Sequence, residues 1–202
     1  DWGKRNEMAR IKWKTKLNVL LSYLKFWWHS KNEHGVHSPF VFDLVTKCFY
    51  DRTNHSTYQQ LSKNNSKSKF LIRLSAYFKF DNCFVSETIQ TEFKQALNLE
   101  NQTILIKTTK DLLTSDFVVS KTPCLICLDF DTIEAHSLSD LFQVLHKDSL
   151  ILIPCIRKTK IQLKRWSQLK SQSEVSASID TFYWGLLFFR TEQPKEHFTI
   201  RL

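Results

Sequence analysis

An α/β domain built on a mostly parallel sheet is the fold class the sequence predicts, and three observations predict it. From Cys83 onward, short apolar runs alternate with helical patterns, the order expected of a parallel sheet covered on both faces. The chain has 202 residues and is 42% hydrophobic, with sixteen Phe and six Trp, which suits one sizeable core and leaves little room for two. The last two apolar runs are joined by the short turn Thr191–Glu196 with Pro194, which predicts an antiparallel hairpin at the sheet edge.

The elements follow in order. Residues 4–28 read as a helix, because Leu17, Leu20, Leu21, Leu24, Trp27 and Trp28 recur at three-and-four spacing. The break at Asn32–His37 predicts a positive φ at Gly35. Ser38 and Pro39 then fit the N-cap and first position of a second helix, with Phe40, Val41, Leu44, Val45, Cys48 and Phe49 on one face. Residues 51–69 are rich in Ser, Asn, Lys and Gln and read as a polar connection with a short helix around Tyr58–Ser62. Helix Phe70–Phe80 leads to strand Cys83–Val85, and helix Thr91–Leu99 to strand Thr103–Lys107. Strand Cys124–Phe130 precedes helix Leu138–Leu145, and strand Leu150–Pro154 precedes helix Lys160–Lys170. Strands at Ser176–Ile179, Thr181–Arg190 and His197–Arg201 close the chain. The regions are therefore 1–50, N-terminal helices; 51–69, a connection; and 70–202, the α/β domain.

Charge is unevenly placed. The net charge is +9, and residues 1–31 hold eight Lys/Arg against only Asp1 and Glu7. Arg10, Lys12, Lys14 and Lys16 are the residues expected to meet an anionic partner, either a membrane or a nucleic acid. The expectation for the apolar stripe behind them is that it packs on the domain; lying on a membrane surface is the alternative. No stretch is long and apolar enough for a transmembrane span, and no secretory signal is expected, since the first sixteen residues are charged throughout. Five cysteines, an odd count, favour a reducing, cytoplasmic setting. Cys124 and Cys127 have CxxC spacing, but in a strand they face opposite sides and read as core thiols.

Two stretches carry a resemblance. His34-Gly35-Val36-His37-Ser38-Pro39-Phe40-Val41-Phe42-Asp43 and the run from Gly185 to Leu202 resemble a group of bacterial class I S-adenosylmethionine-dependent methyltransferases. The resemblance implies an abbreviated Rossmann-like fold with N-terminal helices and the C-terminal hairpin. In that group the first strand runs into a glycine-rich turn that lets the backbone approach the cofactor. The matching stretch here is Asn82–Thr88, with Val85 at the strand-end acid and Glu87 at the first glycine. The whole chain has three glycines where average usage would give roughly fourteen. Ser86, Glu87, Asp129 and Asp131 are what the resemblance leaves of the cofactor positions, and the second strand is expected to be deleted. Pro154-Cys155-Ile156-Arg157 replaces the paired acids of a metal site, so no metal is expected.

By the same resemblance, His34, His37, Ser38 and Phe40 fold over the cofactor end of the sheet. They either position a substrate or serve as a clasp for the N-terminal helices, and the clasp is the expectation. No catalytic residue is expected, and there is no GxSxG, P-loop or HExxH motif. The leading expectation is a methyltransferase-fold protein without S-adenosylmethionine that acts as an interaction module for a protein partner or complex. The alternatives are an active S-adenosylmethionine-dependent methyltransferase with an atypical site, and a peripheral binder of nucleic acid or of an anionic membrane, the inner membrane included.

Overall fold

The computed structural model describes residues 17, 19–32, 35–53, 56–61, 65–100, 103–109, 122–135, 141–142, 145–192 and 194–202. Helix α1 covers residues 19–29. Helix α2, Pro39–Leu44, continues through a π-helical turn at Val45–Phe49. Ser38 caps α2, its Oγ accepting from the Val41 N–H at 3.4 Å, and Pro39 sits where a missing donor does no harm. A 3₁₀ turn at Ser56–Gln60 interrupts the polar connection. Helix α3 is Ser66–Phe78, capped by the Asn65 side chain and closed by Lys79 in the left-handed region, φ 53°.

Strand β1, Asn82–Val85, leads through a 3₁₀ turn at Glu87–Ile89 into α4, Gln90–Glu100. Then follow β2, Leu105–Thr108; β3, Cys124–Cys127; α5, Phe130–Ala135; and β4, Leu150–Pro154. Helix α6, Lys160–Lys170, precedes β5, Ala177–Asp180; β6, Trp184–Phe188; and β7, Glu196–Thr199. The fold is Rossmann-like α/β, with one seven-stranded sheet in the order β2-β1-β3-β4-β6-β5-β7. Only β6 is reversed, antiparallel to β4 and β5; every other neighbouring pair is parallel.

Period-two alternation divides the core between the two faces of the sheet. Cys83, Val85, Leu125, Cys127, Leu150, Leu152, Trp184 and Leu186 pack under α2, α3 and α4. Phe84, Cys124, Ile126, Ile151, Ile153 and Leu187 pack on the other face, with Trp166 and Leu169 of α6. Cys124 and Cys127 thus lie on opposite faces, as the strand reading requires. Gly185 lies in central β6 because a Cβ there would come within 2.7 Å of the Trp166 ring and 2.9 Å of Ile156.

Five expectations are corrected. The final hairpin does not form between β6 and β7: both edges of β6 are taken by β4 and β5, so the chain crosses β5 and adds β7 parallel on its far side. The antiparallel hairpin is β5–β6 instead. The second strand is not deleted, since β2 pairs in parallel register with β1, Asn82 opposite Leu105. Gly35 has no positive φ; Lys31 crowds it, with Cδ 2.7 Å from where a Cβ would stand. Strand β3 stops at Cys127, and Phe130 opens a helix in place of ending a strand. The apolar stripe of α1 is not packed on the domain, for Leu17, Leu20, Leu21, Leu24 and Trp28 are exposed. Of the helix expected at Leu138–Leu145, 141–142 are helical, Leu145 is a bend outside any helix, and residues 138–140 and 143–144 lie outside the described residues.

Candidate functional site

In an open parallel sheet the strand carboxyl ends form the natural site edge, and here neighbouring β1 and β3 end side by side. The turn after β1 contains no glycine, and Ser86 holds an extended conformation, φ −57° and ψ 141°. Ser86 is fully buried. Its N–H and Oγ both donate to the Cys127 carbonyl, at 2.9 and 3.2 Å, and its Oγ accepts from the Asp129 N–H at 3.2 Å. Thr88 donates its hydroxyl to the Asp129 carboxylate, whose other oxygen accepts from the Thr132 N–H at 2.7 Å and so caps α5. The crevice between β1 and β3 is therefore bridged by side-chain hydrogen bonds. Ser86 and Asp129 are brought together there, while Glu87 and Asp131 stand exposed beside them. Beyond β1, strand β2 ends in Thr108 and buried Thr109.

The other end of this edge is basic and aromatic. After β4, Cys155 takes φ 60°, and Arg157 grips Asp180 at 2.6 and 3.0 Å. Asp180, at the end of β5, also accepts from the Phe182 N–H at 2.9 Å, holding the β5–β6 turn with Phe182 at φ 73°. The Arg157 guanidinium lies 5.2 Å from the Phe26 ring, and Phe26 packs edge-on to Phe182, so this pair fastens α1. A cleft of ≈ 500 Å³ opens beside it, lined by Phe26, Phe70, Trp184, Lys67, Arg73 and Arg201 among others, with no Asp or Glu side chain among the described residues of its wall. Lys67 sits 4.1 Å over the Tyr183 ring, and the Arg73 Nε is buried without a hydrogen-bond partner. Nothing in the sequence joins Arg157 to Asp180, or Lys67 to Arg201; the sheet order brings them together.

Of the His-Gly-Val-His-Ser-Pro-Phe segment, His37 and Phe40 lie at the opposite edge beside Arg190, which corrects their expected position over the cofactor end. Phe40 packs at 5.1 Å on Phe188, and Arg190 covers its ring at 4.7 Å. Phe188 pairs with Leu150 and Ala177, at the amino ends of β4 and β5. Helix α2 runs across the sheet from this edge, so its first turn is fixed there. Ser38 is buried as a cap, and His37 is exposed in a shallow groove with Phe40 and Arg190. His34 and the basic residues Arg10, Lys12, Lys14 and Lys16 lie outside the described residues.

Three buried thiols are poor nucleophiles by environment. Burial pushes Cys48 up to about 12 and Cys124 up to about 11, and raises Cys127 well above the usual thiol range. Among the described residues, no three His, Cys, Asp or Glu side chains converge as a metal site would require. No protein-family model matches the chain, and no curated protein matches it.

Proposed function

We propose that this protein is a non-catalytic interaction module built on a methyltransferase-like frame, docking through its N-terminal helix. The observation that carries the reading is the bridged crevice: buried Ser86, bonded to Cys127 and Asp129, stands where an adenosyl cofactor would need an open, glycine-lined backbone. With Thr88 bonded across to Asp129 and with Arg157 and Asp180 neutralising each other, the residues described here do not fit S-adenosylmethionine. The second support is the hydrogen bonding of the same edge, where the Asp129 and Asp180 carboxylates are taken up by Thr88, Thr132, Arg157 and Phe182.

Titration of the purified chain with S-adenosylmethionine tests this directly. Calorimetry to millimolar ligand should give no saturable heat. A saturable thermal shift that S-adenosylhomocysteine competes away would overturn the reading and return the protein to the active methyltransferases.

One observation favours a second reading, the basic and aromatic cleft. Lys67, Arg73 and Arg201 among aromatic rings suit a small anionic ligand with an apolar body. A panel of aromatic carboxylates and phosphate esters in a thermal-shift assay tests it. Stabilisation that Arg73→Ala removes supports a ligand site; no stabilisation across the panel removes this reading.

A further inference from the structure

Helix α1 carries an apolar stripe that the rest of the molecule leaves uncovered. Leu17, Leu20, Leu21 and Leu24 are between 53% and 55% exposed, and Trp28 is 78% exposed. At about 100° per residue the four of these positions within α1, Leu20, Leu21, Leu24 and Trp28, fall within about 100° of the helix circumference. Phe26, only 4% exposed, lies roughly opposite the middle of that arc. The helix therefore docks on the domain with one face and presents a different, more apolar face outward. Single exposed leucines need no explanation, but a contiguous stripe does.

Charge identifies what covers it. From Met8 to Asn32 the sequence has six Lys/Arg, at 10, 12, 14, 16, 25 and 31, and no Asp or Glu. Half-exposed Tyr23 and Trp27 flank the stripe on one side, and Lys25 borders it on the other. Aromatic rings and lysine stems at the border of an apolar arc suit a helix lying between hydrocarbon and water. No described helix is long and apolar enough to cross a membrane, so the helix would lie along the surface. Nucleic acid would satisfy the charge but offers no apolar layer for four leucines.

We propose that α1, with the basic segment ahead of it, lies in the interface of an anionic bilayer, its Leu17–Trp28 stripe in the acyl boundary and its lysines and arginines among the headgroups. The proposal rests on the docking part of the function proposed above and not on the bridged crevice. A cofactor titration and a vesicle titration therefore fail separately. Each cation near an anionic surface multiplies partitioning by about fivefold, so binding is reversible and steeply dependent on lipid charge and salt.

The test is flotation of the full chain with vesicles of phosphatidylcholine alone and with one part in three of phosphatidylglycerol. Binding should be at least tenfold tighter to the anionic vesicles and should weaken as salt rises. The double substitution Leu20→Glu with Leu24→Glu, at exposed positions, should lower binding at least tenfold without changing the melting temperature. So should the triple reversal Lys12→Glu, Lys14→Glu and Lys16→Glu. Amide exchange needs no variant: residues 19–29 should gain protection on anionic vesicles. Equal binding to both vesicle types, or no added protection at 19–29, overturns the proposal. So does a dimer, seen by light scattering, that the leucine substitutions dissolve while vesicle binding is absent. Duplex DNA bound with an affinity indifferent to Leu20 and Leu24, in place of vesicles, overturns it in favour of a nucleic-acid surface.

Discussion

Helices α1 and α6 invert the usual relation between apolar content and burial. Helix α6 reads KIQLKRWSQLK and holds four Lys/Arg, yet it buries Trp166 and Leu169 against the sheet. Helix α1, from Val19 to His29, is mostly apolar and aromatic, yet Phe26 is its deeply buried anchor. Topology accounts for the contrast. Helix α6 connects β4 to β5 on one sheet and must lie across the face it spans, so a narrow apolar stripe suffices. Helix α1 precedes the sheet and no crossover forces its stripe inward. It is attached at a corner by Phe26, Arg157 and Phe182. Burial here follows connectivity, and an apolar surface left out by connectivity needs a partner from elsewhere.

Three substitutions break or sharpen that contrast. The largest effect belongs to Trp166→Ala, which empties the space beneath α6 and should lower stability by about 3–5 kcal/mol in urea unfolding. A loss below about 1 kcal/mol would mean that α6 does not hold this face of the sheet. Phe26→Ala should be intermediate, about 1–2 kcal/mol, because the loss cannot exceed the free energy that docks α1. Its signature is fast amide exchange across residues 19–30 while the sheet stays protected. A melting shift as large as that of Trp166→Ala would make α1 an integral part of the core. Leu24→Gln should be the smallest, within about 0.5 kcal/mol of no effect in the isolated protein. A clear destabilisation there would place the stripe against the domain after all.

Much of this frame is legible in the sequence. The strands declared themselves through apolar runs, the Ser38–Pro39 cap through its chemistry, and the opposed Cys124 and Cys127 through period two. Helix α6 begins and ends at the expected residues. The misses share a cause, which is that neighbours in space are not written in local sequence. The length of the Thr191–Glu196 turn suggested pairing of β6 with β7, but both edges of β6 were already occupied. The position of Gly35 in a helix break suggests a conformational need, and it meets a steric one imposed by Lys31. Asp129 caps the next helix through Thr132, while its further partners Thr88 and Ser86 are ones that only the β1–β3 pairing brings close. The Arg157–Asp180 pair, 23 residues apart, left no trace in spacing. Amphipathic periodicity in α1 was real, but periodicity does not say which face the domain will take.

The bridge between residue 31 and residue 200 has a consequence in time. The Lys31 N–H donates to the Thr199 carbonyl at 2.8 Å, the Arg201 N–H donates to the Lys31 carbonyl at 3.3 Å, and the Tyr50 hydroxyl donates to the Arg201 carbonyl at 2.9 Å. Phe182, against which Phe26 rests, also comes late in the chain. During vectorial synthesis, at about 5–20 residues per second, α1 leaves the ribosome several seconds before anything exists to hold it. Throughout that interval its leucines and tryptophans face whatever surface lies nearest the exit tunnel. The helix therefore meets its surroundings before it meets its own domain, and a chain interrupted short of residues 199–201 keeps the stripe but loses the strand-like tether that follows it.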